Sequence, residues 1–245
     1  MQYSRDTDAL DIENGAGQHR VIEPRGGRRR AGSALADQFF LIAHEDRTGR
    51  SRLHPRATAL GLAAALVGEL MLLQRVRISG GELGVVSREP PGDALAHTVL
   101  DLLVAQPQHR EVRTWLAFLA QEAAIGVGER LLRAGVVESV TRRKLLSAQT
   151  VYMPMSPDQR NAAAWAPARL ANLLVQGRAM DVADRTLAGL VLATGLTRHV
   201  LWDVAAHRAG ISHLYAVVDT LPADLRELVE HAQASVGSVL AAGRR

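Results

Sequence analysis

The stretch Ala57 to Met71, Ala-Thr-Ala-Leu-Gly-Leu-Ala-Ala-Ala-Leu-Val-Gly-Glu-Leu-Met, decides the fold. Leu60, Ala63, Ala64, Val67, Leu70 and Met71 recur at helical spacing, and nothing from Ala57 to Gly68 carries a charge. About three turns of apolar helix fall short of the ~20 residues that span a bilayer. Bounded by Arg56 and Glu69, the stretch reads as the central helix of a buried core.

On the N-terminal side, Phe39-Phe40-Leu41-Ile42 predicts a short helix with Ser33 as its N-cap, closed by the polar turn Asp46-Arg-Thr-Gly49. On the C-terminal side the period switches to two: Val76 and Ile78, then Gly80-Gly81, then Leu83 and Val85, a hairpin with a glycine turn. Pro90 to Asp93 punctuates the chain before a helix from Ala94 to Ala105. A long helical stretch follows from about Glu111 to Ala134, with Gly126 and Gly128 as candidate breaks and Gly135 as its C-cap. A second hairpin is expected over residues 136–152, its loop carrying Arg142, Arg143 and Lys144. After Pro157 the pattern is helical throughout, with helices expected at 157–176, 181–193, 197–207, 211–220 and 222–242. The fold class is therefore mostly α: one globular helical domain over residues 34–245 with a central apolar helix and two β-hairpins.

Composition narrows the function. The 245 residues include no cysteine, which excludes a disulfide scaffold, a cysteine-based zinc site and a thiol nucleophile. The 29 basic residues are 28 arginines and Lys144, a bias that accompanies GC-rich coding. A net charge of +4 and a pI near 10.2 favour anionic partners, phospholipid or nucleic acid. Residues 1–33, with six arginines, five acids and almost no apolar periodicity, read as a disordered tail, either simply solvated or touching phosphates through Arg28-Arg29-Arg30. The start MQYSRDTDALDIENGAG lacks the pattern of a secretory signal, so a cytoplasmic location is expected.

Catalytic and cofactor motifs do not emerge. There is no P-loop, no Gly-x-Gly-x-x-Gly after a strand, no Gly-x-Ser-x-Gly and no His-Glu-x-x-His. His44-Glu45-Asp46 are adjacent in sequence, and one helical turn does not present all three inward; His199, His207 and His213 are poorly spaced for a common ligand. These read as surface or cap histidines, Asp181 and Asp184 as N-terminal helix charges, and the expectation is no enzyme, no metal and no cofactor.

The second hairpin is the distinctive feature. Arg142, Arg143 and Lys144 precede Leu145 and Leu146, a cationic collar beside an apolar tip suited to shallow bilayer insertion. Two other readings remain open: leucines packed inward with solvated cations, and the wing of a winged-helix DNA-binding protein.

Phe39 to Ile42 before Asp46-Arg-Thr-Gly49, the helix ending Gly68-Glu69-Leu70, the Arg75-Val-Arg-Ile78 hairpin and Glu129-Arg-Leu-Leu-Arg-Ala-Gly135-Val-Val137 together resemble the Golgi phosphoprotein 3 family. The resemblance covers Ala34 to the C-terminus, and with the GC-rich composition it points to a bacterial member. It implies a peripheral membrane protein that in eukaryotes binds phosphatidylinositol 4-phosphate and short glycosyltransferase tails. It also implies a hairpin that associates with membrane or with other copies of the chain. The family's headgroup pocket does not carry over: its tryptophan and three cations correspond here to His54, Ala63, Gln121 and Ala124. Arg52 and Arg56, flanking His54, are candidates to rebuild an anion site.

The expectation is thus a peripheral membrane protein on the inner face of the membrane. It would bind anionic phospholipid through Arg52, His54, Arg56, Arg142, Arg143 and Lys144, with Leu145 and Leu146 inserting. The alternatives are a DNA-binding winged helix and a protein-interaction module that self-associates through its hairpin.

Overall fold

A computed structural model describes residues 32–144 and 147–243 of the chain. Most of the tail assigned to residues 1–33 and both tip leucines, Leu145 and Leu146, lie outside the described residues. The first half comprises α1 (Leu35–Ala43), α2 (Pro55–Leu72), the hairpin β1 (Val76–Ser79) and β2 (Glu82–Val85), α3 (Ala94–Ala105), α4 (Val112–Leu119) and α5 (Ala123–Arg133). The second hairpin, β3 (Glu138–Lys144) and β4 (Ser147–Met153), leads into α6 (Pro157–Val175), α7 (Val182–Thr194), α8 (Thr197–Val200), α9 (Val204–Asp219) and α10 (Ala223–Ala242). The fold is mostly helical with two antiparallel hairpins, as the periodicity predicts.

The helix α2 is the hub. Apolar around its whole circumference, it packs against α1, α3, α4, α5, α7, α10 and β1. Its 18 residues have a mean hydropathy of 1.3 and could cross a membrane by length and composition, yet 78% of that span is buried inside the fold. All nine residues of α1 are buried as well, Asp37 and Gln38 included. Buried polar groups need partners, and these two find theirs on distant helices.

Arg130 of α5 joins four elements at one guanidinium. Its Nε donates to Asp37 Oδ1 on α1 at 2.7 Å, and Nη1 and Nη2 donate to Glu69 of α2 at 2.9 Å each. Nη1 also reaches Asp93 Oδ2 at 3.0 Å, and the same carboxylate oxygen caps α3 by accepting from Ala96 N. Glu69 Oε1 accepts from Ala36 N at 2.7 Å, so the N-terminus of α1 is capped from another helix. This replaces the expected Ser33 cap: Ala34 occupies the N-cap position, and the Ser33 carbonyl accepts from the Gln38 side chain. A second pairing, Arg169 of α6 with Asp184 of α7, takes in Gln38. Asp184 is therefore an ion-pair partner as well as a first-turn charge, while Asp181, expected as a helix-start charge, is the N-cap of α7, accepting from Asp184 N.

Three helix boundaries depart from the periodicity. The stretch from Glu111 breaks at 120–122, not at its glycines, because α4 packs on α10 while α5 packs on α1. Gly128 lies inside α5, where a Cβ would overlap the Tyr152 ring of β4; the glycine seats the second hairpin against the body. Thr197 to His207 is not one helix, since Asp203 starts α9 by accepting from Ala205 N and Ala206 N. The helix α9 then runs through Gly210, which lies against Leu201 and Leu174.

Removing Arg130 strands three carboxylates beside an apolar core, so Arg130→Met should lower the unfolding free energy by roughly 3–5 kcal/mol. Urea denaturation followed by circular dichroism measures this. Adding Glu69→Gln and Asp37→Asn to that variant should recover part of the loss, since the uncompensated charges are then gone.

Candidate functional site

The chain leaves α1 at His44, whose extended backbone (φ −116°, ψ 151°) turns Glu45 and Asp46 back toward the helix they follow. All three line one crevice, contrary to the sequence expectation that adjacent residues would diverge, because the helical rotation stops at the C-cap. Arg52 closes the crevice from the returning segment of the loop, where Arg52 N donates to Ala43 O at 2.8 Å. Tyr152 and Pro154 contribute the base of the second hairpin, and Ala163 and Pro167 one face of α6. The volume is about 100 Å³, well under the roughly 300 Å³ at which small-molecule pockets begin. It admits the tip of an anion against Arg52, not a sugar ring with its phosphates.

The loop between α1 and α2 is locked to the hairpin. Gly49 adopts φ +62°, and a Cβ there would collide with Val151 and come within 3.1 Å of Met153 Cβ on β4. A glycine is needed both for the left-handed turn and for the close approach. The Glu45 carboxylate accepts from the Thr48 hydroxyl at 2.6 Å, and Ser51 and Thr58 hydroxyls hydrogen-bond to tie the loop to α2. Four arginines stand on this fixed segment: Arg47, Arg50, Arg52 and Arg56. The first two and the last are exposed, Arg52 is half-buried, and among the described residues none has a salt-bridge partner. Sequence reasoning singled out Arg52 and Arg56 but missed Arg47 and Arg50, which the turn brings alongside.

His54 is exposed and serves as the N-cap of α2, its Nδ1 accepting from Arg56 N at 3.3 Å. Ala63 is wholly buried in the core, so that position offers nothing to a surface anion; Gln121 is exposed in the α4–α5 turn and Ala124 is half-buried on α5. Arg142 is half-buried, with Nη2 3.9 Å from Met153 Sδ. The expected cationic loop is in fact strand: Arg142, Arg143 and Lys144 pair with Gln149, Ala148 and Ser147. The strand runs longer than expected because the ladder persists to the Lys144–Ser147 pair.

His44 stacks on Phe40, ring centroids 3.9 Å apart, and its Nδ1 lies 2.9 Å from the Phe40 carbonyl. Burial lowers its pKa to about 4, opposed by that hydrogen bond and reinforced by Arg52. His199, on α8, is lowered by partial burial and by Arg52, with Glu45 acting the other way. Both charges acting on His199 thus belong to the arginine loop, and α8 packs on α6, which lines one face of the crevice.

The architecture defines a helical protein whose one core is wrapped around an apolar helix, with a hairpin and an arginine-bearing loop joined at one end. The sequence matches the family model Golgi phosphoprotein 3 (GPP34) over residues 35–232, and the chain belongs to that family. Comparison with curated proteins finds no match.

A histidine held neutral in the fold costs stability once the unfolded chain binds its proton. Between pH 6.5 and about 4 the unfolded state takes up the His44 proton and the native state does not, so its contribution falls with pH in that window. Asp37 acts in the opposite sense: burial raises its pKa to about 6, and Arg130 only partly offsets this, so its protonation stabilises the fold on acidification. The stability advantage of wild type over His44→Gln should therefore shrink by about 2–3 kcal/mol from pH 7 to pH 4. Denaturant titrations of both proteins across that range measure it.

Proposed function

We propose that this chain is a peripheral, non-enzymatic protein that docks on anionic membrane surfaces at the cytoplasmic face. The observation that carries the reading is the loop of four arginines without salt-bridge partners among the described residues, fixed against the base of the second hairpin. Juxtamembrane cations contribute on the order of 1 kcal/mol each near an anionic leaflet. A rigid segment presents them without ordering a flexible chain on contact. Arg142, Arg143 and Lys144 add to the positive charge, and Leu145 and Leu146 are assigned the apolar wedge that the family resemblance implies. His54 lies between Arg52 and Arg56 at the edge of the same loop.

At this loop, recognition is by charge density and not by a phosphatidylinositol 4-phosphate pocket. The crevice is too small for that headgroup, and the family's cation positions hold Ala63, Gln121 and Ala124. Self-association through residues 136–152 is compatible with this role, because a second copy doubles the charge presented to one surface.

Co-sedimentation with neutral and anionic vesicles tests the reading. Wild type should bind only the anionic vesicles, less as salt rises, and without preference for phosphatidylinositol 4-phosphate over other anionic lipids of equal charge density. The triple substitution Arg47→Gln, Arg50→Gln, Arg56→Gln should weaken binding by roughly 100-fold with the thermal midpoint unchanged. Undiminished binding by the variant would overturn the assignment to this loop. Binding to duplex DNA with none to vesicles would replace the reading with the nucleic-acid one.

A further inference from the structure

Trp202 is 81% exposed, the most exposed large hydrophobic residue among those described, and Val204, two residues on, is 68% exposed. Trp202 sits in the short connection between α8 and α9, and Val204 is the first residue of α9. The intervening Asp203 is turned inward on the backbone, its carboxylate accepting from Ala205 N at 3.0 Å and Ala206 N at 3.1 Å. The one negative charge between the two apolar side chains is therefore engaged at a helix N-terminus, where the helix dipole favours it. On either side stand exposed cations, Arg198 on α8 and Arg208 on α9, with no salt-bridge partner among the described residues.

A projecting tryptophan with a small apolar companion, collared by arginines, suits the boundary between headgroups and acyl chains. The indole buries a large apolar face there while its N–H stays hydrated. A water-exposed tryptophan gains nothing from the fold: Trp115, by contrast, is buried and donates Nε1–H to the His109 carbonyl at 2.7 Å. Placement agrees with the chemistry, because α8 packs on α6, the helix that lines one face of the crevice, and His199 feels the charge of Arg52. Trp202 thus belongs to the same end of the molecule as the arginine loop and the base of the second hairpin.

We infer that the α8–α9 connection is a second membrane anchor, in which Trp202 and Val204 enter the interfacial layer of an anionic bilayer while Arg198 and Arg208 meet its phosphates. This rests on the membrane-docking reading above and assigns it an insertion element separate from the hairpin. The anchor and the loop together give two points of attachment on one face. They orient the domain on the surface, which charge alone does not do.

The test uses the full chain and vesicles of phosphatidylcholine and phosphatidylglycerol, with and without bromine on the acyl chains. Bromine quenches an indole only at short range. Wild-type emission should fall on binding brominated vesicles, whereas Trp202→Phe, which leaves Trp115 and Trp165 in place, should show far less quenching. Trp202→Ala should weaken partitioning about tenfold, and Trp202→Phe should retain most of the affinity. Because the side chain is exposed, both variants should keep the wild-type circular dichroism spectrum. If wild type binds vesicles but Trp202→Ala binds equally and bromine leaves the wild-type emission unchanged, the anchor is overturned while the docking reading stands. If wild type binds no anionic vesicle, both fall. If light scattering shows a dimer that Trp202→Ala abolishes, with no quenching, the patch is an interface between copies and the anchor is likewise overturned.

Discussion

One guanidinium ties the first half of the core together. Arg130 reaches Asp37, Glu69 and Asp93, and so binds α1, α2 and the start of α3 to α5. Three carboxylates on one cation leave excess negative charge, and the structure relieves it in two ways. Asp93 is partly exposed and also caps α3, and Asp37 has its pKa raised to about 6, first by burial and then by the neighbouring carboxylates against the pull of Arg130. Burial alone would favour loss of the Arg130 proton, but the hydrogen bonds to Glu69 and the charges around it raise its pKa and keep it cationic. A buried network of this kind is demanding to form and costly to break, and it specifies how the four elements meet.

The fold was largely legible because its strongest signals are local. The charge-free run from Ala57, the Gly80-Gly81 turn with both residues at positive φ, the break from Pro90 to Asp93 before α3 and the acidic start of α7 at Asp181 each announce an element within a few residues. What stayed hidden is non-local. Glu69 and Arg130 are 61 residues apart, and nothing in either neighbourhood reveals the other. The capping of α1 by Glu69, the break between α4 and α5 and the passage of α9 through Gly210 are all tertiary outcomes. At the candidate site, Arg52 and Arg56 could be read from their position before the central helix, while Arg47 and Arg50 needed the turn that Gly49 permits. Trp202 was read as part of a continuous helix, and its exposure follows from the α9 cap at Asp203.

These non-local contacts also connect the core to the surface. The Arg130 network holds α1 against α2 and α5. The end of α1 launches the arginine loop, Gly128 of α5 receives Tyr152 from the hairpin, and α6 supports both the crevice and α8. One end of the protein thus presents a loop, a hairpin and a tryptophan on a rigid frame, and its crevice is too small to select a headgroup. On the reading proposed above, a domain built this way would sense surface charge and hold a fixed orientation on a membrane.

Hydrogen–deuterium exchange of the full chain, with and without anionic vesicles, tests that account most directly. It should show slowed exchange in three separate segments together, 45–56, 138–153 and 197–208, with helices α3 and α10 unchanged. Slowed exchange at the opposite side of the fold, or none in any of the three segments while the protein is vesicle-bound, would contradict it.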